Sequence, residues 1–291
     1  MTRRRDLERH RRSLDEIRGI LNSMRTLAYL ETRKLTRFLE TQHRVVESIE
    51  AAAADLIGFH PDLLPSLGEQ RPVYLVIGSE HGFCGDFNHR LLQSLEAPRN
   101  AAGSGERPLI AVGHKLHALM AGDDGETRLI GGAGMVEEVT PLLNTLIELL
   151  TDLSQRPLVD SVYCLYHKGG EGIELRRLLP PFDSLLPPPN RFSHPPLLQR
   201  SPAELLLSLT EHYLFAALHE VFFYSLLAEN QHRVNHTEGA VRHLDETSTK
   251  LAHRCNALRQ EEIIEEIEVI LLSATTPEES AAGRSRQLRR D

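Results

Sequence analysis

SPAELLLSLTEHYLFAALHEVFFYSLLAENQHRVNHTEGAVRHLDETSTKLAHRCNALRQEEIIEEIEVILLSATT runs from Ser201 to Thr276 with one proline, Pro202, at its start. Proline costs roughly 3 kcal/mol inside a helix, so a stretch this long without one permits a single uninterrupted helix. Ser201 fits the N-cap, Pro202 the first helical position and Glu204 the far side of a capping box. Apolar residues then recur at helical steps: Leu205, Leu209, Leu214, Leu218, Val221, Ser225 and Ala228. The stripe resumes at Val241, Leu244, Leu251, Leu258, Ile263, Ile267 and Ile270. Gly239 is a local weak point. Roughly seventy residues at 1.5 Å each make a rod of about 105–110 Å.

The other end of the chain reads the same way. No proline precedes Pro61, and Leu7, Leu14, Ile17, Leu21, Met24, Ala28, Leu35, Phe38, Val45 and Ile49 mark one helical face. Sixty residues give a rod of roughly 90 Å. A long helix with one apolar stripe cannot bury that stripe alone and needs a partner helix. Charge selects the partner. Residues 1–44 carry twelve Lys or Arg against six Asp or Glu, whereas residues 203–276 carry five against twelve. Opposite signs favour pairing of the two ends. With a globular middle between them, an antiparallel pairing is the simplest topology and the one expected.

Thirteen prolines lie between Pro61 and Pro202, so the turns belong to the middle, about residues 70–200. Val73–Ile77, Pro108–Gly113 and Leu158–Tyr166 read as strands. Leu91–Leu95, His114–Ala121 and Glu137–Leu153 read as helices, the last with Val139, Leu142, Leu143, Leu146, Leu149 and Leu150 inward. Such alternation predicts a mostly parallel α/β sheet. Arg177–Pro202 reads as the return connection. The domains expected are 1–60, an N-terminal coiled-coil helix; 70–200, an α/β domain; 201–276, a C-terminal coiled-coil helix; and 277–291, a flexible basic tail.

The first strand ends in GSEHGFCGDFN, Gly78–Asn88. Glycines here serve either a phosphate cradle or a tight turn that seats a helix. The run is neither GxGxxG nor a P-loop, and no acidic residue ends the second strand where a ribose would sit, so the turn is the reading adopted. Cys84 within it is read as a structural thiol, because no His or Asn arrangement supports a nucleophile. His232, His236 and His243 have spacing that zinc can use, but without HExxH or a nearby Cys they read as a solvated face. Gly131-Gly132-Ala133-Gly134 reads as a flexible connection. No metal or cofactor is expected.

Composition narrows the class. The 291 residues are 41% hydrophobic and 25% charged, with a formal net charge of -8. That balance argues against a general nucleic-acid binder. Three widely separated cysteines fit reduced thiols. The basic MTRRRDLERHRR start lacks the apolar run of a secretory signal, and no apolar run reaches eighteen residues. Membrane contact is therefore expected only through partners.

Three segments resemble the gamma subunit of F-type ATP synthases. GSEHGFCGDFN is similar to the family's SDRGLCGGLN, with Gly82, Cys84, Gly85 and Asn88 matching and Asp86 in place of a glycine. Ser13–Leu35 is similar to its N-terminal helix, with Ser13, Arg18, Ile20, Met24 and Ala28 aligned. Cys255–Ala274 is similar to its C-terminal helix: Asn256, Arg259, Gln260, Ile263, Glu266 and Ile270 fall in register, the most specific match of the three. Nearly the whole chain is covered, and the departures mark a divergent branch.

The resemblance implies a long antiparallel coiled coil with a Rossmann-like central domain inserted between the two terminal helices. It implies a non-catalytic central rotor shaft, coupling ion-driven c-ring rotation to ATP synthesis or hydrolysis on the beta subunits. The partners implied are the alpha and beta subunits, the epsilon subunit and the c-ring, with no nucleic acid and no cofactor, at the cytoplasmic face of a bacterial inner membrane. Arg259, Gln260 and Asn256, with Met24, are the implied subunit contacts; Gly82, Cys84, Gly85 and Asn88 are the implied structural turn. The alternatives are a coiled-coil scaffold protein and a nucleotide-binding enzyme built on the central domain.

Overall fold

The computed structural model describes residues 2–64, 72–101, 108–120, 127–154, 161–182 and 194–275. The expected tail, 277–291, lies outside them. The chain divides into two compact units, Met1–Met24 with Thr237–Asp291, and Arg25–His236. A 58-residue helix, α1 (Thr2–Phe59), and a 74-residue helix, α5 (Pro202–Thr275), each contribute to both.

α5 starts where its sequence says. Ser201 Oγ accepts the Glu204 amide at 3.3 Å, and Glu204 Oε2 accepts the Ser201 amide at 3.3 Å, closing the capping box. In the first unit α1 and α5 run antiparallel, since Arg18 bonds Asp245 at 3.0 Å and Arg4 meets Glu262 at 3.2 Å. In the second unit they are again antiparallel: Phe38 meets Phe223 with ring centroids 6.1 Å apart, and Gln42 donates to the Ala216 carbonyl at 2.9 Å.

The buried stripe of α1 is Leu21, Ala28, Leu35, Leu39, Val46 and Ala53. Its steps are almost all seven, the seam of a coiled coil. Three residues assigned inward from the sequence are exposed: Ile17, Phe38 and Val45. Phe38 and Val45 each sit next to a second apolar residue, Leu39 and Val46, and periodicity alone does not choose between neighbours 100° apart. At the end of α5, Ile263, Ile267 and Ile270, also expected inward, are exposed. α1 begins at Thr2, and the Arg4–Glu262 register sets Ile263 level with its first turn and leaves Ile267 and Ile270 past its start. The C-terminal helix outruns its partner.

The second unit holds a five-stranded sheet of order β3-β2-β1-β4-β5. Its strands are β1 (Pro72–Ile77), β2 (Leu109–Val112), β3 (Thr127–Ile130), β4 (Ser161–His167) and β5 (Ile173–Leu179). Three pairings are parallel, and β5 joins antiparallel to β4 with Tyr166 opposite Glu174. The sequence reading missed both edge strands. β3 is four half-exposed residues, too short for a period, and Ile173–Leu179 carries Glu174, Arg176 and Arg177. The end of β5 replaces the start of the connection expected over Arg177–Pro202.

Helices α2 (Phe87–Ala101), α3 (His114–Met120) and α4 (Val136–Ser154) complete the unit. Strand alternation sends Val73, Leu75 and Ile77 to one core, with α1, α4 and α5. It sends Tyr74 and Val76 to the other, with Phe87, Leu91 and Leu116. Both faces are covered, which is why β1 is apolar throughout.

Gly113 ends β2 with φ 109, and a Cβ there would lie 2.7 Å from the Ser79 carbonyl oxygen. Gly113→Ala is expected to destabilise this unit by at least roughly 1–3 kcal/mol, the cost of a strained backbone, before any steric term. Urea unfolding followed by tyrosine fluorescence measures it, and an unchanged midpoint would refute the argument.

Candidate functional site

β1 lies between β2 and β4, so the chain leaves the sheet in opposite directions on its two sides. The carboxyl end of β1 is thus the switch point where open α/β sheets bind ligands. Protein carboxylates occupy it. Glu80 Oε2 accepts the amides of His114, at the start of α3, at 3.1 Å and of Gly132 at 2.7 Å, while Oε1 meets the His114 ring. Burial pushes the Glu80 carboxyl up, but these donors outweigh it and hold the group below its usual range. Glu229 on α5 accepts the amides of Glu80 at 3.2 Å and His81 at 3.1 Å. The space left among Gly78, Gly132, Phe222 and Glu229 is about 10 Å³, room for one water at most. Four backbone amides at this end, those of Glu80, His81, His114 and Gly132, are thus given to carboxylates. The Gly131–Gly134 run is a tie point rather than a free connection, since Gly134 also gives its amide to Glu138 at 2.7 Å.

Gly82, Cys84 and Gly85 lie in this one loop, and Asn88 in the first turn of α2 ties back to it. Asn88 Oδ1 accepts the Ser79 amide and its Nδ2 donates to Ser79 Oγ, both at 2.9 Å, folding α2 back onto the end of β1. Gly85 has φ 61, where glycine is unstrained. Phe83, with φ 64 and half its surface exposed, adopts the left-handed region without that freedom. Cys84 is buried, and burial together with the Glu229 charge pushes its thiol up to about 12. A thiol held protonated in this way is no nucleophile.

Arg233, one turn beyond Glu229, pairs with it and donates to the Gly82 carbonyl at 3.2 Å, Asn230 Oδ1 at 2.7 Å and Cys84 Sγ at 3.6 Å. Burial pushes the Glu229 carboxyl above its ordinary value, against the pull of Arg233 and the two loop amides. A second charged cluster ties β5 to both long helices. Arg176 donates to Glu220 at 2.6 Å and Tyr213 Oη at 3.2 Å and meets Glu50 at 3.4 Å. Glu220 also bonds His43 at 2.7 Å, which raises the imidazole above its usual value. Sequence reasoning missed both clusters. The available signal was Glu220, Glu229 and Arg233 lying among Val221, Leu226 and Ala228 on the inward side of a helix, where a charge needs a partner.

Asn256, Arg259 and Gln260 are exposed on α5 at spacings of three and four, hence on one face. Met24 on α1 is half-buried and is not brought to them. The Arg4–Glu262 and Arg18–Asp245 pairs place Arg259 abreast of the first turns of α1, roughly 25–30 Å along the axis from Met24. His232 packs against the rings of Phe87 and His167, while His236 and His243 are exposed. Among the described residues no His, Cys, Asp or Glu group is arranged to hold a metal, and no helix is long and apolar enough to cross a membrane.

A family model described as ATP synthase matches residues 3–276, and relatives that align along most of this length are gamma chains. The chain belongs to the ATP synthase gamma-subunit family. The gamma chain of Clostridium botulinum (strain Kyoto / Type A2) is 23% identical over 279 residues, covering 91% of this chain and 95% of the relative. That of Caldanaerobacter subterraneus subsp. tengcongensis is 21% identical over 298 residues, covering 94% and 99%. A chain of the Euglena gracilis mitochondrial ATP synthase, from an assembly of OSCP, F1 and c-ring, shares the fold with a TM-score of 0.61 at 16% identity, covering 100% of this chain and 98% of that one. A chain of the Tetrahymena thermophila central stalk and c-ring gives 0.54 at 15%, covering 76% and 99%. The gamma-family fold is a coiled coil of terminal helices with an inserted α/β domain, and this chain has it.

Proposed function

We propose that this chain is the central rotor shaft of a bacterial F-type ATP synthase, linking rotation of a c-ring to ATP synthesis or hydrolysis on beta subunits. The observation that carries the reading is the exposed apolar end of α5. From Ile263 to Leu272 every Ile, Val and Leu is exposed, up to 70% at Leu272. An apolar surface of this kind marks a contact with other proteins. A shaft tip enclosed by a ring of three alpha and three beta subunits supplies that contact. Arg259, Gln260 and Asn256 lie just before it and, with Met24, are the residues proposed to touch beta. The α/β domain forms the base that joins epsilon and the c-ring.

In this arrangement the chain performs no chemistry. An asymmetric shaft presents different faces to three otherwise equal catalytic sites and biases each toward a different nucleotide affinity. The crevice supports that division, since Glu80 and Glu229 place two carboxylates on four of its backbone amides, where a nucleotide phosphate would meet like charge. The proposed location is the cytoplasmic face of the inner membrane, reached through partners.

Co-expression with candidate alpha and beta subunits tests the proposal. ATPase activity of the purified complex should depend on this chain, and activity indifferent to its omission would sink the reading. Arg259→Ala with Gln260→Ala should lower coupled synthesis roughly 5- to 30-fold, the scale of a 1–2 kcal/mol loss of coupling, while the circular dichroism of the chain stays unchanged. Undiminished synthesis would remove both residues from the contact.

A further inference from the structure

Apolar burial fastens the sheet to α5, but apolar attraction has no direction. Elements joined only in that way can slide past one another in small steps. Within the Arg25–His236 unit, one row of polar side chains on α5 opposes sliding. Ser225, Glu229 and Arg233 are four residues apart, so they stand above one another on one face of the helix. Each engages the next piece of the chain leaving β1. Ser225 Oγ donates to the Ile77 carbonyl at 3.3 Å. Glu229 takes the Glu80 and His81 amides at 3.2 and 3.1 Å. Arg233 donates to the Gly82 carbonyl at 3.2 Å and to Cys84 Sγ at 3.6 Å. All three side chains are buried, so water does not compete for these bonds. A shift of α5 by one residue, or a turn about its axis, would break every contact in the row while most apolar contacts merely exchanged partners.

We infer that Ser225, Glu229 and Arg233 form a register lock: positioning residues that fix the rotation and axial setting of α5 against the sheet and carry torque between them. The inference rests on the rotor-shaft reading, because only a driven shaft loads this junction in shear. The Gly82–Cys84 turn is then the socket into which the helix is keyed.

The test uses the assembled ATP synthase in inverted membrane vesicles, with ATP-driven ion uptake and ATP hydrolysis measured on the same preparation and normalised to the amount of complex. Arg233→Met should lower the uptake-to-hydrolysis ratio about 5-fold, within the range by which coupling energies shift on mutation. Arg233→Lys, which keeps the charge, should fall between Met and wild type, and hydrolysis should stay within about twofold. A residue that only stabilises the fold would reduce the amount of complex and leave the ratio unchanged; that result overturns the lock. Should Arg233→Met prevent assembly, Glu229→Gln and Ser225→Ala, which nearly preserve volume, make the same comparison, and a wild-type ratio in them overturns it equally. If uptake by the wild-type complex does not depend on this chain, the rotor reading fails instead; coupling in the wild type with undisturbed variants defeats the lock alone.

Discussion

Replacing Arg176 with methionine is expected to destabilise the α/β unit by about 3 kcal/mol, the lower end of the cost of breaking a buried ion pair. Glu220 is the reason. Its side chain is 3% exposed and its carboxylate is held by Arg176 at 2.6 Å and His43 at 2.7 Å. Removing the guanidinium strands that carboxylate in an apolar setting with one partner, and Tyr213 loses its hydrogen bond and the cation near its ring. His43 remains, which keeps the loss from the upper end of the range. The measurement is direct because the chain has no tryptophan and its six tyrosines, residues 29, 74, 163, 166, 213 and 224, all belong to the Arg25–His236 unit. Tyrosine fluorescence in urea therefore follows that unit alone. The double variant Arg176→Met, Glu220→Gln should recover most of the stability, since the stranded charge is gone. Equal loss in both variants would show that packing, and not the unpaired carboxylate, sets the cost.

His167 should make the same unit acid-sensitive. It lies at the end of β4 with its ring stacked 3.9 Å from Phe87 and its Nε2 donating to the Phe87 carbonyl at 3.0 Å. Burial lowers its pKa to about 4, against a smaller upward pull from that carbonyl. The unfolded chain binds the proton near pH 6.5, and the folded chain does so only near 4. The contribution is therefore fully present above pH 6.5 and is lost as pH falls through that window, at roughly 1.4 kcal/mol per pH unit and about 3 kcal/mol in all. His167→Gln keeps a donor for Phe87 and cannot be protonated. The stability difference between wild type and this variant should shift toward the variant by about that amount between pH 7 and pH 4. A constant difference would show that His167 is not the group responsible.

The parts of the fold legible in the sequence are those with a local cause. The α5 capping box, the proline-free spans and the opposite charges of the two ends each act over a few residues or over bulk composition, and each appears in the structure. The turn after β1 was legible from its glycines. Its role as a socket was not, because Glu229 and Arg233 lie some 150 positions away.

From the sequence alone, the chain was bound to form two long helices around an alternating α/β middle, and its end motifs pointed to the gamma family. Periodicity and turn chemistry are short-range, so they are written where they act. Tertiary structure alone decided that Leu39 and Val46 turn inward instead of Phe38 and Val45, that α5 outruns α1, and that Glu80 and Glu229 fill the crevice at the end of β1. Those outcomes depend on which distant surface arrives opposite each residue, and a buried charge has meaning only once its partner is in place.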